Sequence, residues 1–234
     1  MSSPRNSGHL KRNVVALCSV PVGQAGRPSK SLTLPQAEAL LATAEDTPLH
    51  AYVVLSLLTS ARTEEVRALR WKDVDLTGNP HSTPPVPPSI SVLRSVRQGG
   101  DTKTRKSRRR IAIPRRCVDA LTAHRTSLGS LPAGGALVFG TRNGTELDAH
   151  NVRRAFRRIV AAAGLDPAPW TPRELRHSFV SLLSDSGMPL EQIARLLGHN
   201  GTAVTERVYR HQLRPVLEEG AAAMDGIFGE RPPR

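Results

Sequence analysis

Aromatic residues are scarce in this chain: phenylalanine, tryptophan and tyrosine together make up 3% of its 234 residues, with only two tyrosines. Alanine, leucine and valine must then fill the core, which favours helices packed on helices. Cysteine is nearly absent too. Cys18 and Cys117 stand far apart with no ligand-like spacing, which argues against a disulfide framework and a zinc site and suits a reducing cytoplasm. No apolar run approaches the roughly 18 residues of a membrane span, so no membrane role is expected. Met1 to Asn6 offers no apolar signal-peptide segment. Acidic residues are outnumbered by basic ones, 20 to 33, and form no metal-holding cluster. Asp73 and Asp75 sit two apart just past an expected helix end, where a cap and a turn use them. Two-metal nuclease chemistry is disfavoured on that ground, and no metal or other cofactor is expected.

What is present in excess is positive charge. The formal net charge is +13 and the isoelectric point is about 11.2. Such an excess points to a polyanionic partner, and nucleic acid fits it better than a membrane surface.

Residues 1–30 are basic and weakly periodic and read as a linker. Thr33-Leu34-Pro35-Gln36 is a capping-box pattern that opens a helix through Ala44. Leu49 to Leu58 is apolar enough for a buried helix, with Tyr52 in its core, and Arg62 to Trp71 reads as another. The Pro-rich stretch ending at Pro88 is a loop. Ser89 to Val96 and Arg109 to Ile113 are short, β-branched and alternating, which predicts a hairpin with a long basic connection. A third strand is expected at Ala136 to Phe139. Helices are expected over 115–128, 148–164, 172–186, 190–197, 202–209 and 213–228. Thr171-Pro172-Arg173-Glu174 caps the third of these, and Gly198 closes the fourth. The fold class is therefore α+β, mostly α-helical, with a small three-stranded antiparallel sheet.

The chemistry concentrates near the C-terminus. Arg173, Arg176 and His177 are followed by Leu197-Gly198-His199 and then Val208-Tyr209-Arg210-His211. A phenol among guanidinium and imidazole donors suits attack on a phosphodiester, because charge on the non-bridging oxygens must be stabilised as the bond breaks. Arginine meets phosphate with a planar fork that stays charged. Upstream, Arg62 opens a helix beside free backbone amides, a favourable phosphate site, with Glu65 one turn on and able to orient it; taken alone, the two read as a surface Arg–Glu pair. The densest basic run holds Lys103, Arg105, Lys106, Arg108, Arg109 and Arg110. Within a hairpin connection it can place Lys103 as a general acid beside a leaving oxygen, with its arginines and Lys106 on DNA phosphates.

The ordered set T-x-x-R-x-x-E at Thr59 to Glu65, the Lys103-Thr104 pair, L-R-H-S-F at Leu175 to Phe179, L-L-G-H at Leu196 to His199, and Tyr209 resembles the catalytic domain of the tyrosine recombinase (phage integrase) family. The resemblance spans roughly residues 30–228. It implies a site-specific recombinase that cleaves and rejoins DNA through a 3′-phosphotyrosyl link. Tyr209 would be the nucleophile, Arg62 and Arg176 the clamp on the phosphate, Lys103 the general acid and His199 a further donor. Its implied partners are double-stranded DNA attachment sites and further copies of the chain in a tetrameric synapse, with neither ATP nor metal.

Two positions depart from the family pattern. Arg173 stands where a histidine or lysine is usual, and arginine cannot serve as a base near neutral pH. It remains able to hold a phosphate or orient Tyr209. The interval from His199 to Tyr209 is one residue longer than usual. His177 reads as a buried structural imidazole. On this resemblance residues 1–30 are the linker or remnant of a core-binding domain in an N-terminally truncated protein, residues 31–228 the catalytic domain and residues 229–234 a tail. The alternatives are a catalytically weak relic of such an enzyme, or a helix-turn-helix DNA-binding regulator built on Leu190 to Arg210. The regulator leaves Arg62 and Lys103 without a purpose.

Overall fold

The computed structural model describes residues 30–96, 108–129 and 135–198. Helix α1 (Leu34–Ala44) begins where its sequence says it should. The Thr33 hydroxyl accepts from the Gln36 backbone N–H at 3.4 Å, and the Gln36 carboxamide accepts from the Thr33 N–H at 3.0 Å. Helix α2 (His50–Leu58) is buried over Ala51 to Leu57. A helix that is apolar on nearly every side belongs in the centre, and α2 packs against α1, α3 (Thr63–Arg67), α4 (Arg115–Ser127) and α6 (Pro172–Asp185). Helix α5 (Ala149–Ala162) lays one face, Val152, Phe156, Ile159 and Val160, against α1 and α6.

Helix α6 carries the capping box expected at Thr171: the Glu174 carboxylate accepts from the Thr171 N–H at 2.9 Å and from its hydroxyl at 2.5 Å. Helix α7 (Leu190–Leu197) rests on α6 through a small cluster of its own, in which Val180, Ile193 and Leu197 are fully buried. It ends at Gly198 with φ +71°, the left-handed closure that glycine adopts without strain.

The sheet is three-stranded and antiparallel, in the order β1 (Val74–Asp75), β2 (Ser89–Val92), β3 (Arg109–Ala112). Its third member is thus β1 and not the segment Ala136 to Phe139. There, Leu137 makes an isolated bridge to Arg70, with the Trp71 N–H on the Ala136 carbonyl (3.0 Å) and the Val138 N–H on the Leu69 carbonyl (2.8 Å). The helix expected over Arg62 to Trp71 is also shorter. It stops as α3 at Arg67, and a single 3₁₀ turn follows at Trp71–Asp73, because Leu69 and Trp71 spend their backbone bonds on the 136–138 segment. Asp75 does the work of a turn: its carboxylate accepts from the N–H groups of Thr77 (3.1 Å) and Gly78 (2.8 Å). The expected helices over 202–209 and 213–228, the hairpin connection at 97–107 and residues 1–29 lie outside the described residues.

Candidate phosphate-binding site

Arg62 is the N-cap of α3, in extended conformation. Its backbone N–H donates to one oxygen of Glu65 at 2.7 Å, and its guanidinium Nη1 donates to the other at 2.8 Å. Glu65 therefore closes the helix start and aims the arginine with a single carboxylate. Only 3% of the Glu65 side chain is exposed, against 24% for Arg62. A fork carries five donors, so one bond to Glu65 leaves most of the group for an anion.

Strand geometry explains the second charge on Glu65. Successive side chains on β3 point to opposite faces, so the run Arg108-Arg109-Arg110 is split. Arg108 and Arg110 are exposed, and Arg110 binds the Asp75 carboxylate at 2.9 Å and the Ser89 hydroxyl at 2.6 Å. Arg109 shares the inner face with Ile111 and lies opposite Val92. Its side chain is 11% exposed. Nη2 donates to Glu65 Oε2 at 3.1 Å and to the Ser60 carbonyl at 3.0 Å. A position read from sequence as part of a solvated basic patch thus carries an inward-facing, ion-paired arginine.

Burial pushes the Glu65 carboxyl up, but Arg109 beside it, and then Arg62, outweigh that and hold it below the usual carboxylate range. The cluster of two guanidiniums and one carboxylate keeps one net positive charge.

Arg176 approaches from α6. It is buried, and its Nη2 donates to the Leu197 carbonyl at 3.0 Å. The Ser60 hydroxyl donates to the neighbouring Leu196 carbonyl. These are carbonyls that a helix end leaves without partners in the helix, and a cation there also meets the negative end of the dipole. The loop before Arg62, Arg109 and Arg176 thereby meet at one place, the C-terminal end of α7. Gly198 and then His199 follow in the chain. Arg173, one turn before His177 on α6, is exposed.

His177 is 2% exposed. Burial chiefly, with the positive charge of Arg173 adding to it, pulls its pKa down to about 4. A neutral buried imidazole is what the sequence suggested. The unfolded chain takes up this proton near pH 6.5 and the folded chain only near 4. Stability is therefore complete above about pH 6.5 and is lost as pH falls from there toward 4. At pH 5 the loss is about 2 kcal/mol, equivalent to roughly 4–8 °C in melting temperature. Melting curves at pH 7 and pH 5 should show that drop in the wild type and a smaller one in His177→Gln.

Of the two tyrosines, Tyr52 is fully buried in α2, and burial drives its phenol well above the ordinary range. Cys117, also buried, has its thiol pushed up to about 12 by burial. Neither is a nucleophile. Among the described residues no group of three or more His, Cys, Asp and Glu is arranged to hold a metal ion, and no helix is long and apolar enough to cross a membrane. Lys103, Arg105, Lys106, His199 and Tyr209 lie outside the described residues.

A profile of the phage integrase family matches residues 30–214. The chain belongs to that family. An integrase from Streptomyces ambofaciens is 61% identical over 233 residues, which is 96% of this chain and 60% of that protein. A tyrosine recombinase XerC from Mycobacterium tuberculosis is 31% identical, over 71% of this chain and 51% of its own length. The chain thus spans about half to three-fifths of these integrase relatives. Among solved structures, the Tn1549 transposon integrase in complex with circular intermediate DNA superposes with a TM-score of 0.65 at 23% identity, covering 86% of this chain and 68% of that one. The XerA recombinase gives 0.62 at 22%, over 91% and 68%. These likenesses establish the tyrosine recombinase catalytic fold, including its small antiparallel sheet.

Proposed function

We propose that the chain is the catalytic part of a site-specific recombinase acting on double-stranded DNA attachment sites, with residues 31–228 as its catalytic domain. Residues 1–30 are then the linker or remnant of a core-binding domain, and residues 229–234 a tail. The observation that carries this reading is the meeting of Arg62 (through Glu65 and the Ser60 loop) and Arg176 at the end of α7, just before His199. Two guanidiniums supplied from distant parts of the chain suit the non-bridging oxygens of one phosphate.

In the reaction, the Tyr209 phenol gives its proton to water, helped by the surrounding cations, and its oxygen attacks phosphorus to form a new O–P bond. The bond from phosphorus to the 5′ oxygen breaks, and Lys103 protonates that oxygen as it leaves. His199 donates to the developing charge. Attack by a 5′ hydroxyl of another strand reverses the step, so one phosphodiester is exchanged for another. No cofactor is consumed. Arg173 contributes charge near the phosphate, while Arg105, Lys106, Arg108 and Arg110 follow the DNA backbone. Family relationship favours assembly of four copies on paired sites, in the cytoplasm with the nucleoid DNA. The sealed Tyr52 supports Tyr209 as the nucleophile, since the chain has no third tyrosine. A helix-turn-helix regulator has no use for two arginines gathered on the buried Glu65 carboxylate at the end of α7.

The test is covalent trapping. Wild-type protein is incubated with a nicked duplex made from the DNA that flanks its gene, and the products are separated under denaturing conditions. A protein–DNA adduct whose nucleotide maps to the peptide holding Tyr209 is expected. DNA binding without an adduct would overturn the enzymatic reading in favour of a relic or a regulator.

A further inference from the structure

The sequence assigns Arg109 to the DNA backbone with the rest of the basic run, yet this charged side chain is turned into the protein from a strand whose neighbours Arg108 and Arg110 face solvent. Three of its contacts bear on the site. Nη2 reaches Glu65 Oε2 at 3.1 Å while Nη1 lies 3.4 Å from Oε1, so the guanidinium faces both carboxylate oxygens. The same Nη2 holds the Ser60 carbonyl at 3.0 Å. Its aliphatic part lies against Gly198, where an added Cβ would come within 3.2 Å of Arg109 Cδ.

We propose that Arg109 is a positioning residue that joins the Arg62 side of the site to the α7 side, and so sets the distance between the two halves of the phosphate clamp. The inference rests on the recombinase reading above and names a residue for that same site.

The physical case follows from the contacts. Glu65 sits on a helix of only five residues, too short to fix a long side chain by itself. With Arg109 facing both of its oxygens, the carboxylate plane is set, and Arg62, bonded to Glu65 Oε1 at 2.8 Å, is set with it. The bond to the Ser60 carbonyl holds the strand of chain that leads into Arg62. Ser60 in turn holds Leu196 through its hydroxyl. Gly198 meets Arg109 directly, and a Cβ there would push the arginine side chain by a few tenths of an ångström. Displacing Arg109 therefore loosens Arg62 and the turn before His199 together, although Arg109 need not touch the phosphate. A misplacement of about 1 Å at a reacting centre costs on the order of 100-fold in rate. Lysine keeps the charge but reaches one oxygen at a time, not two.

The experiment uses the 234-residue chain and the flanking-DNA nicked duplex. Adduct formation is followed at saturating DNA, with binding and melting temperature measured on the same samples. Arg109→Lys should fold, bind the duplex within about threefold of wild type, and form adduct about 30-fold more slowly. Arg109→Met should be slower still, about 300-fold. In Arg62→Ala/Arg109→Lys the rate should fall no more than about threefold below that of Arg62→Ala, because a residue acting through Arg62 has little left to lose. Full multiplication of the two defects would overturn the proposal, as would an Arg109→Lys defect that only tracks weakened DNA binding. A second reading, by ¹⁵N spectroscopy of arginine-labelled protein, does not depend on activity. Wild type should give separate Nη signals for Arg62, from restricted rotation, and Arg109→Lys should merge them. Unchanged Arg62 signals overturn the proposal even if the wild type forms no adduct, whereas an absent wild-type adduct with merged signals counts against the recombinase reading alone.

Discussion

Tyr209→Phe should abolish covalent attachment to DNA while leaving duplex affinity within about twofold of wild type. On the proposed mechanism, removing the phenolic oxygen removes the atom that forms the new bond to phosphorus, so no rate through that path remains. The expected loss is at least about 10⁴-fold, and in practice a blank lane. Affinity should hold because phosphate contacts from arginine and lysine dominate binding and remain in place. Arg176→Ala sets the scale for comparison. It removes the group bonded to the Leu197 carbonyl, which is also a proposed donor to the phosphate, yet keeps the proposed nucleophile. A reduction of about 10²–10³-fold is expected, seen as a slow but real adduct. The informative result is the pattern across the two variants. An adduct that survives Tyr209→Phe would mean another nucleophile, and Tyr52 and Cys117 are both buried with their ionisation suppressed. Equal, complete loss in both would instead indicate that Arg176 supports the end of α7 more than it stabilises charge.

Much of the frame is legible in the sequence. The capping patterns at Thr33 and Thr171 announced α1 and α6, because such starts are local chemistry between residues three apart. Gly198 announced the end of α7 for the same reason. The sheet's third strand was missed because β1 is two residues long, too short for any alternation to register. Ala136 to Phe139 carried the apolar signal of a strand but used it to bridge Arg70 and enter the core. In the site, the pairing of Arg62 with Glu65 was readable from their spacing, whereas the part of Ser60 was not. Its hydroxyl bonds a carbonyl 136 positions away, and nothing in the local sequence encodes that. Arg109 is a different kind of miss. The strand Arg109 to Ile113 was recognised as alternating, and Ile111 and Ile113 mark its inner face. Extending that period one step back puts Arg109 on the same face. A run of six basic residues within eight positions hides that register behind charge.

Glu65→Ala should be among the most destabilising substitutions available in this protein, costing roughly 3–5 kcal/mol, or about 6–20 °C in melting temperature. The reason is asymmetry. The change removes one negative charge and leaves Arg109, 11% exposed, beside Arg62 with no carboxylate between them. Desolvation of the remaining guanidinium is then uncompensated. It also takes away the acceptor for the Arg62 backbone N–H and with it the cap of α3. Proton linkage gives an independent check. The folded carboxyl is held below its unfolded value of about 4.3, so its contribution is complete above that pH and disappears as pH falls through the lower folded value. Glu65→Gln should therefore lose stability at pH 7 and lie closer to wild type at acid pH. Stability and function can then be pulled apart. Replacing the pair by apolar groups, in Glu65→Leu/Arg109→Met, should recover much of what Glu65→Ala loses, since buried ion pairs are often replaceable in this way. If that double variant melts near wild type yet forms adduct at least about 100-fold more slowly, the cluster serves the placement of Arg62. If adduct formation recovers together with melting temperature, the buried charges serve only the fold, and Arg62 finds its position without them.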